Sequence, residues 1–225
     1  MALLSILSNL RPLPDPRRVL ENYRRLAAGY DATCGRIECL RQRAVREMRL
    51  QPGETVFDIA CGTGAALPLL AAEVGPTGRV VGVELSPEMA AIARERAAAS
   101  AFAGRISVAQ CAVEHFRPDM PADVLLLSYT HDVLQLPAAL DNLLAMSRPG
   151  ARIVLLGMKT LPWLWGWPVN LVSLYRARRY LTTYANMDCP WRQLARRGAS
   201  VRKVHSALWG SAYIAVGALP AQPRA

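Results

Sequence analysis

The sequence predicts an α/β fold built on a doubly wound, mostly parallel sheet, and three observations carry that expectation. Strand-like and helix-like stretches alternate from residue 54 onward, the order that winds helices onto both faces of one sheet. The runs Val124-Leu-Leu-Leu127 and Ile153-Val-Leu-Leu156 are apolar without alternation, as in parallel strands covered on both sides. The run Thr55-Val-Phe-Asp-Ile59 opens into Cys61-Gly-Thr-Gly64 and then an Ala/Leu-rich stretch, a strand, glycine turn and helix in succession.

The elements follow in order. Met1 to Leu10 is apolar but short, without the basic start or the small-residue cleavage site of a signal peptide. Docking on the protein's own surface or on a partner subunit is the favoured reading of it over membrane contact. Asp15-Pro16 signals a helix start. Val19, Leu20, Tyr23, Leu26 and Ala27 then recur at helical spacing across 17–29. A second helix is expected over 35–49, after a turn at Tyr30-Asp31, and Gln51-Pro-Gly53 ends it. The first strand falls at 54–60, with a helix at 64–74. Next come a strand at 79–84, a helix at 87–100 opened by Ser86-Pro87, and strands at 105–110 and 122–128. A helix at 136–147, a strand at 151–157 behind Pro149-Gly150 and two closing strands near 200–205 and 210–217 complete seven strands. Residues 1–50 read as an N-terminal helical segment or lid over a domain at 51–225. Within that domain, 159–198 is an insertion rich in Trp, Pro and Arg, placed as a lid for an apolar substrate; a simple plug at the sheet end is the competing reading of its tryptophans.

Composition bounds function. The chain has 225 residues, 52% hydrophobic and 20% charged, with 27 Lys+Arg against 17 Asp+Glu for a net +10. That length and balance suit one globular domain. Nearly all the excess positive charge is Arg scattered over helices, with no Lys-rich arm or interleaved aromatic stacking pattern, so no nucleic-acid partner is expected. Five cysteines (Cys34, Cys39, Cys61, Cys111 and Cys189) form no close pair and no Cys/His cluster of zinc spacing. Reduced thiols and a cytoplasmic location are the simplest account, with no metal. No stretch approaches the roughly 20 apolar residues a membrane span needs.

Glu84 ends the second strand twenty residues beyond Gly64, in reach of a ribose on a nucleotide-like ligand. A dinucleotide loop needs a third glycine, and Leu67 stands there, which argues against an NAD-dependent oxidoreductase. No Gly-Lys-Ser/Thr is present in this loop, so a phosphate-cradling loop is excluded as well.

The ordered set Tyr30-Asp31, Leu50-Gln-Pro-Gly53, Asp58-Ile-Ala-Cys-Gly-Thr-Gly64, Gly82-Val-Glu84, Ser86-Pro-Glu-Met89, Asp123 and Arg148-Pro-Gly150 resembles the class I S-adenosylmethionine-dependent methyltransferases, from about Tyr23 to Gly217. The resemblance implies a Rossmann-like seven-stranded sheet whose last strand is antiparallel, with S-adenosyl-L-methionine as cofactor and S-adenosyl-L-homocysteine as product. By the same resemblance Asp58 supports the methionine moiety, and Ala60, Cys61, Gly62 and Gly64 pass beneath it. Glu84 takes both ribose hydroxyls, two hydrogen bonds worth about 3 kcal/mol together. Leu85 and Met89 pack the adenine, and Cys111 with the backbone of Ala112 and Val113 meets its edge. Relatives usually carry an acidic residue after the third strand; here the chain reads Gln110-Cys-Ala-Val-Glu114, and Glu114 is the substitute on offer. Tyr23 and Tyr30 resemble tyrosines that close over the cofactor, with core packing the competing reading for Tyr23.

On the acceptor side Ser128-Tyr-Thr-His131-Asp132 follows the fourth strand directly. His131 has a pKa suited to a base, with Asp132 or Tyr129 to orient it; capping of the next helix or packing on Trp is the alternative for His131. The expected reaction is methylation at O or N of a small, partly apolar metabolite. Phospholipid or betaine-lipid N-methylation is the runner-up, because an Arg-rich face suits peripheral contact with an anionic bilayer. A homodimer is compatible with the chain.

Overall fold

The computed structural model describes residues 11–221; Met1 to Leu10, and the docking expected of it, lie outside the described residues. Helix α1 (Pro16–Leu26) starts as its signal implies, with Asp15 Oδ1 accepting from the amides of Arg17 and Arg18 and Pro16 in the first turn. The expected second helix is α3 (Glu38–Met48), and a short helical piece, α2 (Tyr30–Cys34), stands where the turn at Tyr30-Asp31 was expected. Arg49 in the left-handed conformation (φ 50°) ends α3.

The remaining order is β1 (Thr55–Ile59), α4 (Leu67–Glu73), β2 (Arg79–Glu84), α5 (Pro87–Ala99), β3 (Ile106–Gln110), β4 (Ala122–Ser128), α6 (His131–Leu134), α7 (Pro137–Ala145), β5 (Ser147–Met158), α8 (Trp163–Ala177), α9 (Arg192–Arg196), β6 (Ser200–Ala207) and β7 (Ala212–Ala218). The seven strands form one sheet in the order β3-β2-β1-β4-β5-β7-β6. The pairs among β1 to β5 are parallel, and β7 runs antiparallel between β5 and β6. The strand order turns between β1 and β4, which opens a crevice at their carboxyl ends where ligands bind in such sheets.

Both faces of the sheet are covered, which is why its strands lack alternation. Val56, Val124, Leu126, Val154 and Leu156 pack on one side beneath Leu40, Val45 and Met48 of α3 and Leu67 and Leu70 of α4. Phe57, Leu125, Leu127, Ile153 and Leu155 pack on the other against Leu140 and Leu143 of α7. The amino-terminal edge is held by polar clamps. Asp123 accepts from the Thr55 amide at 2.9 Å and pairs with Arg148, and Arg152 grips both oxygens of Glu54 at 2.9 and 2.7 Å while donating to the Met48 carbonyl.

The 159–198 stretch is largely helical, with α8 and α9 in it. Ala177, Leu181 and Met187 form a small cluster of their own, with Met158, Leu174 and Tyr184 packed against it. A strap ties this stretch to the chain start: the Asp15 amide donates to Thr182 Oγ1 at 2.9 Å, and Thr183 Oγ1 donates to the Arg11 carbonyl at 2.5 Å.

Candidate functional site

At the carboxyl end of β1 the backbone turns through positive φ at Ala60 (52°), Gly62 (58°) and Gly64 (72°), a region that favours glycine. A Cβ on Gly64 would lie 2.9 Å from Leu67 Cδ1 and 3.0 Å from the Ala93 Cβ, so the position excludes any side chain. Leu67, which displaces the third dinucleotide glycine, is fully buried where α4 meets α5 and the sheet. At the end of β2 the buried Glu84 holds this loop: Oε2 accepts from the Gly62 amide and Oε1 from the Ser86 amide, each at 2.8 Å. A carboxylate has about four acceptor sites, so both oxygens keep capacity for a ligand. Burial pushes Glu84 upward, with the amides of Ser86 and Gly62 pulling it back.

These elements wall a compact cavity of about 120 Å³ at the carboxyl ends of β1, β2 and β4. Glu84, Leu85 and Met89 contribute from β2 and α5, Ala60 and Gly62 from the glycine loop, and Ala112, Val113 and Glu114 from the segment after β3. Ser128, Tyr129, Thr130 and Asp132 enter from the end of β4. Tyr23 and Tyr30 close the cavity and meet a third ring, Tyr180: centroids are 6.0 Å apart in both the Tyr23–Tyr30 and Tyr30–Tyr180 pairs, edge to face. Burial and the neighbouring Tyr30, Glu84 and Asp132 push the Tyr23 phenol well above its ordinary value, so it stays neutral.

Four of the residues expected at the cofactor are not on the wall. Asp58 is buried beneath the glycine loop; desolvation raises it to about 7, with Arg41 pulling down and Glu84 pushing up. Cys61, Gly64 and Cys111 likewise support the loops without lining the cavity. His131 is the main correction on the acceptor side. Tyr129, at φ 58°, re-aims the chain after β4, and the short α6 then turns His131 into the protein interior. The imidazole is 5% exposed and off the cavity wall, and neither ring nitrogen has a hydrogen-bond partner among the described residues. Burial pushes it down to about 4, opposed only by the nearby Ala185 backbone. It lies in the interior and does not reach the cavity wall.

Asp132, its neighbour in sequence, lines the cavity instead. Its Oδ2 accepts from the Thr182 amide at 2.9 Å and from Thr182 Oγ1 at 2.6 Å. Its Oδ1 and the Thr130 Oγ1 are buried without a well-aligned hydrogen bond among the described residues. Desolvation pushes Asp132 up, opposed by the Thr182 bonds, the Thr183 backbone and the charge of Arg18. Nothing in the residue order marks Leu181, Val19 or Leu136 as wall residues, and only the aromatic enrichment of 159–198 hints at Tyr180. They arrive from α1, the turn between α6 and α7 and the segment after α8 by tertiary closure.

The charge of the wall decides what the cavity suits. Glu84, Glu114 and Asp132 line it, and among the described residues no Lys, Arg or His does, although the chain as a whole carries +10. A pyrophosphate would meet three carboxylates and no cation. A phosphate-free sulfonium meets complementary charge and aromatic faces. The cavity therefore fits the adenosyl cofactor that the resemblance implied.

Taken together, the seven-stranded sheet, the glycine loop and the carboxylate at the β2 end define an α/β domain of the nucleoside-binding, group-transfer type. Comparison with known proteins narrows the class. Residues 56–150 match a family described as methyltransferase domain. A demethylmenaquinone methyltransferase of Symbiobacterium thermophilum is 30% identical over 154 residues, covering 64% of this chain and 61% of the relative. The ubiquinone/menaquinone biosynthesis C-methyltransferase UbiE of Geobacter sulfurreducens is 33% identical over 122 residues, or 53% of this chain and 48% of the relative. A SAM-dependent methyltransferase from Aquifex aeolicus superposes with a TM-score of 0.63 at 20% identity, covering 91% of this chain and 98% of that one. Residues 56–150 thus carry a methyltransferase domain, and the chain is similar to the class I S-adenosylmethionine-dependent methyltransferases. It spans between about half and three fifths of the length of these curated relatives.

Proposed function

We propose that the chain transfers a methyl group from S-adenosylmethionine to a small, largely apolar aromatic acceptor of the hydroquinone class. The observation that carries the reading is the cavity wall, acidic and aromatic near Glu84 and apolar at Val19, Val133, Leu136, Ala139 and Leu181, with no cationic side chain on it among the described residues. The relatives' names point the same way, since both act in quinone pathways and one is a C-methyltransferase. A ring carbon of the acceptor thus joins O and N as the receiving atom. The wall disfavours the phospholipid alternative, because a phosphate head group would enter against three carboxylates. The NAD alternative fails on the same charge and on Leu67.

When bound, the cofactor supplies an electrophilic methyl group that is taken by in-line attack. The chain's own residues then do four things. Glu84 holds the ribose, while Leu85, Met89 and the Ala112–Val113 backbone receive the adenine, with Glu114 in place of the usual acidic partner. Asp58 supports the loop under the amino acid moiety. Tyr23, Tyr30 and Tyr180 face the positive charge, an attraction of about 0.5–2 kcal/mol, and exclude water with α1. Asp132 receives a proton from an acceptor hydroxyl on its Oδ1, which loads electron density onto the ring that attacks. Burial has raised its proton affinity for that step. The helical segment 1–50 acts as the lid of the 51–225 domain, held by the Asp15–Thr182 bond.

Incubation of the purified chain with isotopically labelled methyl donor and a panel of reduced naphthoquinones, benzoquinones and zwitterionic phospholipids tests this reading. Label in the quinols is the expected result; label in the phospholipid alone, or in none of the panel, would contradict it.

A further inference from the structure

Helix α8 is built inside out. The residues it turns toward the protein are small or polar: Gly166, Asn170 and Ala177 are its buried positions. Asn170, fully buried, receives the Leu161 amide at 2.8 Å and donates to the Leu161 carbonyl at 2.9 Å. Gly166 lies so close to the same residue that a Cβ there would fall 2.3 Å from the Leu161 Cβ. The helix is thus pressed rigidly onto its own leader segment. Its outer face carries the large apolar side chains. Leu164, Trp167, Leu171 and Tyr175 follow one another at helical spacing, flanked by Trp163, Trp165 and Val172, with Leu164 93% exposed and Trp165 63%. Trp209, 88% exposed on the turn before β7, extends the surface: Gly210 of that turn lies against Leu161, and the Ser211 carbonyl accepts from the Lys159 amide.

Exposed apolar surface of this extent marks an interaction site, and the charges beside it say for what. No charged residue occurs from Thr160 to Tyr175, and Arg176, Arg178 and Arg179 follow at once. Arg178 stacks 3.6 Å over the Tyr175 ring. Arg176 and Arg179 are exposed and have no acidic partner among the described residues. Tryptophans and leucines bordered by arginines suit the boundary between acyl chains and anionic head groups. A span is ruled out for this helix: its 15 residues reach about 22 Å, against a hydrocarbon core of roughly 30 Å.

We propose that the outer face of α8, with the Leu208–Trp209 turn, lies flat in the interface of an anionic lipid bilayer. Tyr180 and Leu181, directly after α8, line the cavity, so docking there sets the cavity mouth against the phase where apolar acceptors dissolve. Only that last consequence rests on the proposed acceptor; the docking itself does not.

Flotation of the full chain with vesicles of phosphatidylcholine alone, and of equal parts phosphatidylcholine and phosphatidylglycerol, tests the surface apart from any methyl transfer. Binding to the anionic vesicles, weakened by high salt and accompanied by a blue shift of tryptophan emission, is expected. The double variant Leu164→Glu, Trp167→Glu, altered only at exposed positions, should lose binding by about tenfold or more with unchanged S-adenosylmethionine titration. Arg176→Glu with Arg179→Glu should lose the anionic preference. Absence of flotation at low salt, or equal flotation of the Leu164/Trp167 variant, would overturn the proposal. Gel filtration showing a dimer that this variant splits, with no flotation, would assign the face to a second copy. A monomer without flotation would leave the chain's own first ten residues as its cover.

Discussion

Asp132 and His131 are adjacent in sequence and opposite in circumstance. The carboxylate belongs to a cavity-lining residue, with one oxygen anchored by Thr182 and the other buried, whereas the imidazole lies in the interior, off the wall. Asp132→Asn is expected to lower kcat by about 10²–10⁴-fold while S-adenosylmethionine binding stays within a few-fold. The acid limb of the rate profile, set above the ordinary carboxylate range by burial, should vanish with it. His131→Gln should leave that limb in place, and pH profiles of both variants check the assignment. Asp58 supplies a second test through stability. Its folded value of about 7 lies above the ordinary 3.8, so the neutral acid favours the fold. That contribution is complete below about 3.8 and is lost as pH rises through 7. Asp58→Asn should therefore raise the melting temperature at pH 8 and flatten its decline between pH 4 and 8; an unchanged profile would refute the buried-acid reading.

At the scale of elements, what was legible in the sequence is what local geometry dictates. Strand β1, the glycine turn and Glu84 lie within one βαβ unit, so their spacing alone fixes the crevice and the loop contact from Glu84 to Gly62. Continuous apolar runs announced β4 and β5 for the reason the structure shows, burial on both faces. Leu126→Ala should cost about 2–5 kcal/mol in denaturant melts, since it empties a fully buried site in the centre of the sheet. Three features were not legible. The interior placement of His131 was hidden because one positive φ at Tyr129 changes which way the next helical turn faces, and nothing in residue order records that. Tyr180 and Leu181 reach the cavity only through the Thr182 contacts with Asp132 and Asp15. Helix α8 was obscured because Trp and Pro at high density read as a lid or plug, and an outward apolar face breaks the rule by which amphipathic helices are recognised.

Across the whole molecule, opposite charges are kept apart. The chain is basic, yet the cavity is walled by Glu84, Glu114 and Asp132, with no basic side chain among the described residues. Bulk charge had left anionic partners open; the distribution favours a cation over an anion in the cavity. The most direct measurement is calorimetric titration of the wild-type chain and of Glu84→Gln with S-adenosylmethionine, S-adenosylhomocysteine and NADH. Binding of both adenosyl ligands, no heat with NADH, and a loss of about ten- to a hundredfold in Glu84→Gln are the expected results. NADH binding without S-adenosylmethionine binding, or an affinity indifferent to Glu84, would contradict a cavity shaped for a phosphate-free sulfonium.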